Sequence, residues 1–154
     1  MEADVRLLLE TFDPASELAA FTAGKPESGG IVSFLGQVRN GADGDSAVEA
    51  LELQHYERLT LPEMHKLAEE ALRRWTLDGL LIIHRAGPMH PGDPIVLVAA
   101  ASRHRRDAFE AADFAMDHLK SESWFWKREK AGGEWRWVEP READFEDLQR
   151  WVQE

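Results

Sequence analysis

Residues 94–138 read PIVLVAAASRHRRDAFEAADFAMDHLKSESWFWKREKAGGEWRWV, and this stretch decides the fold class. Pro94 to Ala101 is an apolar run of strand length, which reads as a buried strand. From Arg106 to Lys120 the apolar residues change to helical spacing, and the pattern predicts a helix burying Phe109, Ala112, Met116 and Leu119. Trp124 to Lys130 and Glu134 to Val138 then form two short strands around Ala131-Gly132-Gly133, the signature of a hairpin. Strand, helix and hairpin in one run describe an α+β arrangement.

Upstream, Leu80 to His84 reads as another strand, joined to Pro94 by the turn-rich GPMHPGDP. Before it stands the clearest helix. Thr60 and Glu63 make a capping box, and Met64, Leu67, Ala68, Ala71, Leu72 and Trp75 recur on one face, which marks a core-packing surface. Ala47 to Tyr56 alternates, with Val48, Leu51, Leu53 and Tyr56 apolar among Glu49, Glu52 and Gln54. Ile31 to Val38 is a further apolar strand, followed by the loop RNGADGDS. Nearer the start, Val5 to Leu9 reads as a strand, and Asp13-Pro14 caps and opens a short helix through Phe21. Ala143 to Val152 reads as a terminal helix. The 154 residues fit a single domain, 1–154, with no repeat or linker.

Composition narrows the function. The net charge of −11 disfavours nucleic acid and anionic membranes as partners. No apolar run approaches the roughly 20 residues of a membrane helix, and MEADVRLLLE carries acids where an export signal carries bases. A cytoplasmic protein is expected. With no cysteine, the chain holds no disulfide, thiolate metal site or persulfide of its own.

Basic residues are unevenly placed in this acidic chain. Arg103 to Arg106 cluster, as do Lys120, Lys127, Arg128 and Lys130. Composition alone favours two solvated faces. A sharper reading comes from position: Gln37-Val38-Arg39, His104-Arg105, Lys120 and Lys127-Arg128-Glu129 each follow or end a predicted element, where catalytic groups commonly sit. Arginine suits phosphate or carboxylate, and neighbouring lysines depress one another's pKa toward acid–base use. Other sites have weaker support. The six histidines lack zinc spacing, and His84 and His90 read as ordinary polar residues flanking a turn. Asp43-Gly44-Asp45 is a fragment of a calcium loop without the other ligands. The late tryptophans fit core or interface better than base stacking. No metal and no cofactor are expected.

In order along the chain, FLGQVRN, LELQHYE, IIHRAGPMHPGD, ASRHRRDAFEAADFAMDHLKSESWFWKRE and WRWVEPRE resemble the large, catalytic subunit of molybdopterin synthases, from about Ile31 to Arg141. The resemblance implies an α/β hammerhead-type fold, an α+β arrangement with mixed or antiparallel sheet and packed helices. It implies a sulfurtransferase of molybdenum cofactor biosynthesis. Its partners would be a small ubiquitin-like carrier with a C-terminal Gly-Gly thiocarboxylate, cyclic pyranopterin monophosphate, and a second copy at the centre of a heterotetramer. Lys120 and Lys127 match the family's active-site lysines. Arg39, His104 and Arg105 match its anion-binding residues, and Gln37, Arg128 and Glu129 fall in its binding segments. Phe34 and Met116 match pocket-wall positions, and Arg141 matches an arginine serving a neighbouring subunit's site. Position 37 is often lysine in the family and is glutamine here, which removes one cation. The order of the lysines' action stays open, as does any ordering of the loop Asn40 to Ser46 on binding. A non-catalytic scaffold and a lysine-based imine-forming enzyme remain alternatives, and the first has no need of both lysines.

Overall fold

The computed structural model describes residues 2–41, 47–121, 124–139 and 141–152. In chain order these form β1 (Asp4–Leu8), α1 (Pro14–Thr22), β2 (Gly30–Gln37), β3 (Val48–His55), α2 (Thr60–Arg74) and β4 (Gly79–Arg85). β5 (Gly87–Met89), β6 (Pro94–Ser102), α3 (Arg105–Ser121), β7 (Phe125–Ala131), β8 (Glu134–Val138) and α4 (Glu142–Gln149) follow. The Asp43-Gly44-Asp45 fragment, and most of the loop whose ordering was in question, lie outside the described residues.

Two four-stranded sheets carry the architecture. The first has the order β1-β4-β6-β2, with β1 parallel to β4 and the other pairs antiparallel. Its central strands are buried on both faces, which is why they read as unbroken apolar runs. On one face Leu80, Ile82, Val96, Val98 and Ala100 pack against α2 and α3. On the other, Leu81, Ile83, Leu97 and Ala99 meet Leu18 and Phe21 of α1. α3 presents Ala108, Ala111, Ala112 and Ala115 to the first face, small residues that suit close approach of a helix to a sheet. The second sheet, β5-β3-β7-β8, is antiparallel, and Leu51, Leu53 and Met89 form a small core with Val38.

Three expectations change. Thr60 does not cap α2. The residue is fully buried, its hydroxyl donates to the Trp124 carbonyl and accepts from Tyr56 N–H, and the helix carries no side-chain cap. Phe109 is 52% exposed, and Phe114 fills the core in its place at 1%; the buried stripe of α3 is rotated from the expected one. The turn-rich GPMHPGDP contains a strand, β5, which pairs with β3 through Leu51, Glu52 and Leu53. Elsewhere boundaries shift by a residue or two, except that α4 ends at Gln149, three residues before the expected Val152. Asp13 accepts from Ala15 N–H, capping α1 as its sequence requires. Gly132 and Gly133 both have positive φ, 61° and 78°, as a two-residue hairpin turn demands.

Candidate active site

A cavity of about 720 Å³ opens where the two sheets, the end of α3 and the start of α4 meet. That volume suits a small-molecule ligand. Several elements supply its chemistry. The strand end after β2 carries Gln37 and Arg39. The last two turns of α3 carry Met116 and Lys120. One face of β7 carries Phe125, Lys127 and Glu129, and α4 is entered through Arg141 and Asp144.

Strand alternation selects the β7 set. Lys127 and Glu129 point into the cavity because Trp126 and Arg128 take the opposite face. Lys127 Nζ lies 4.0 Å from the Glu129 carboxylate. The hairpin register sets Arg136 opposite Glu129 and Val138 opposite Lys127, so both also line the cavity. Arg136 was missed from the sequence, although counting back from the Gly132-Gly133 turn gives this pairing. α4 begins with Arg141 as N-cap, whose backbone N–H donates to the Asp144 carboxylate at 3.2 Å. The Ser121 hydroxyl donates to the Asp144 carbonyl and ties the end of α3 to α4. Lys120 is thereby fixed beside Arg141.

Lys120 is a perturbed group. Its side chain reaches solvent, yet the surrounding walls of the cavity lower its pKa below the ordinary lysine value. Repulsion from Lys127 adds to the shift, Asp144 opposes it, and Arg141 and Arg39 lower it slightly further. An amine held this way is readier to lose its proton near neutral pH than a free lysine, the condition for acid–base or nucleophilic use. His84 also lines the cavity, buried and stacked on Phe125, although its sequence context suggested an ordinary polar residue.

Four expected site residues stand elsewhere. Arg128 faces out, bonded to Glu52 at 2.6 Å and stacked over Trp135 at 4.4 Å. Phe34 is 44% exposed on β2 and is no part of the cavity lining. His104 precedes α3 and Arg105 opens it, whereas Lys120 is near its end. Fifteen residues of helix span roughly 22 Å, so these two cannot reach this chain's own cavity. Arg141, matched to a residue serving a neighbouring subunit, lines the cavity of its own chain.

Lysines, arginines and a few carboxylates converging on one enclosed space define a class: an α+β enzyme that binds an anionic small molecule and manages protons on it. The chain belongs to the MoaE family, whose model matches residues 8–122. It is 48% identical to a molybdopterin synthase catalytic subunit of Mesorhizobium japonicum, over 96% of this chain and 92% of that one. Among solved structures, the molybdopterin biosynthesis MoaE protein of Burkholderia ambifaria superposes with a TM-score of 0.80 at 41% identity, covering 99% of each chain. A Helicobacter pylori structure, described as a protein–protein complex of subunits 1 and 2 of molybdopterin-converting factor, gives 0.73 at 19% identity over 89% and 91%. That last likeness shows the fold alone.

Proposed function

We propose that this cavity transfers sulfur from the C-terminal thiocarboxylate of a small ubiquitin-like carrier to cyclic pyranopterin monophosphate, building the dithiolene of molybdopterin. The enzyme class, a sulfurtransferase of molybdenum cofactor biosynthesis, goes with membership of the family. The observation that carries the site assignment is Lys120, its pKa lowered within a cavity that it shares with Lys127, Arg39 and Arg141. Both expected ligands are anionic, and both need cations where they meet. Arg39 and Arg141 suit the phosphate and the carrier's tail. Lys120, with Lys127 lowering its pKa, suits proton transfer as carbon–sulfur bonds form on the pterin and break on the carrier. A thiocarboxylate delivers sulfur already reduced, so the transfer calls for no redox partner.

The carrier follows from the same reading, and the Mesorhizobium japonicum relative, named as a catalytic subunit, supports a second subunit. A second copy of this chain completes the proposal. His104 and Arg105 lie too far along α3 for their own cavity, and a partner's cavity is where they would add cations. The assembly is then a homodimer with a carrier on each chain, working in the cytoplasm, where cell fractionation should find it.

The test is single-turnover sulfur transfer with Lys120→Ala, supplied with thiocarboxylated carrier and precursor. The rate should fall about 10²- to 10⁴-fold, the usual contribution of a placed acid–base group, with carrier binding and melting temperature retained. A variant keeping more than about half the wild-type rate contradicts the assignment, because chemistry that survives without the group does not depend on it.

A further inference from the structure

β4 carries His84 near its end, and the imidazole is fixed on two sides. The residue is 6% exposed, and its ring stacks on Phe125 with centroids 4.2 Å apart and planes at 22°. Nδ1 lies 2.9 Å from the backbone carbonyl of Arg85. A carbonyl only accepts, so Nδ1 holds the proton and Nε2 is left as a bare lone pair. Nε2 makes no hydrogen bond to the described residues. Among them, the only buried side-chain nitrogen or oxygen without a partner is Arg85 Nε. Nε2 is therefore accessible, and the cavity that His84 lines is where it opens.

We infer that His84 Nε2 is a fixed hydrogen-bond acceptor for an N–H or O–H group of the substrate held in this cavity. The inference rests on the sulfur-transfer reading for the substrate's identity: a reduced pterin ring system, rich in such donors. Lys127 and Arg39 only donate, and Lys120 donates while protonated, so they suit the substrate's phosphate and carbonyl oxygens. Glu129 and Asp144 accept, but each is already engaged by a cation, Lys127 and Arg141 respectively, and the other acceptors of the lining, Gln37 and Glu139, are exposed side chains rather than a buried, stacked ring. An imidazole reads a donor without adding charge. It also penalises an analogue lacking that donor, because the bound analogue would cover the lone pair and leave it unmatched. The ring stays neutral: burial, and to a smaller degree the charge of Lys120, press its pKa down to about 4 against a stabilising bond to Arg85. Nε2 is thus an acceptor from roughly pH 5 upward.

Two substitutions separate this contact from packing. His84→Asn keeps an N–H near Nδ1 for the Arg85 carbonyl and removes the acceptor. His84→Gln places an amide oxygen near the position of Nε2. In calorimetry with cyclic pyranopterin monophosphate, the Asn variant should bind about 3- to 10-fold more weakly, the range for one neutral hydrogen bond, and Gln should return to within about twofold of wild type. Two-bond ¹H–¹⁵N spectra of the wild-type protein give a second readout. Nε2 should resonate as a pyridine-type nitrogen and move upfield on adding the precursor, but not on adding inorganic phosphate. A resonance unmoved at saturation overturns the assignment, as does equal weakening by Asn and Gln. If the precursor binds and is sulfurated while Nε2 stays silent, this inference alone fails. If the wild-type protein does not bind the precursor at all, both readings fall.

Discussion

Lys120 owes its lowered pKa first to the walls around it and next to Lys127. The second cause can be removed alone. In Lys127→Met the neighbouring charge is gone, the protonated amine is less disfavoured, and the pKa of Lys120 rises toward the ordinary lysine value. The fraction of free amine at a given pH then falls. The pH at which Lys120 reacts half-maximally with an acylating reagent, followed by mass spectrometry of its peptide, should therefore move upward; a downward move contradicts the coupling. Arg39 has a different task. Arg39→Ala should weaken precursor binding by about 1.5–3 kcal/mol, the range for hydrogen bonds to charged groups, and calorimetry measures it directly. That the two lysines share a pocket was legible only in part: Lys120 ends a recognisable helix, whereas Lys127 lies inside β7 and was singled out by the resemblance. His84 was not legible. Its part depends on a ring stack with Phe125 from the other sheet and on a proton fixed by its own neighbour's carbonyl, neither of which periodicity records.

The elements themselves were read well where one face meets a core. β4, β6, α3 and the β7–β8 hairpin stand within a residue or two of their expected bounds. Failures came where tertiary contacts override local pattern. β5 exists because β3 offers an edge for three residues, and no run that short announces itself among glycines and prolines. Thr60 resembles a helix cap by sequence, yet its hydroxyl joins Tyr56 to Trp124 and so links the start of α2 to the start of β7. Thr60→Val keeps the shape and removes both bonds. It should lower stability by about 1–3 kcal/mol, the cost of unmet buried polar groups, visible in denaturant melts. A change below about 0.5 kcal/mol would mean that these bonds contribute little net stability.

At the scale of the whole molecule, the length of α3 sets what one chain can do alone. Arg141 and Lys120 share a cavity, whereas Arg105 stands about a helix length away from it. Mixing Lys120→Ala with Arg105→Ala should therefore restore activity at low precursor concentration. In a mixed dimer one cavity has its own Lys120 and the partner's intact Arg105. With random exchange, roughly a quarter of all sites recover. Mixing Lys120→Ala with Arg141→Ala should restore nothing, because no cavity then holds both residues. Recovery in the second mixture and none in the first would reverse the assignment of which arginine crosses between copies. The most direct measurement is the complete reaction: this protein, a carrier bearing a ³⁵S-labelled thiocarboxylate, and cyclic pyranopterin monophosphate. Dithiolene product should carry the label, and the carrier should be left with a plain carboxylate. Unlabelled precursor recovered intact, beside a carrier still holding its sulfur, would contradict sulfur transfer by this protein.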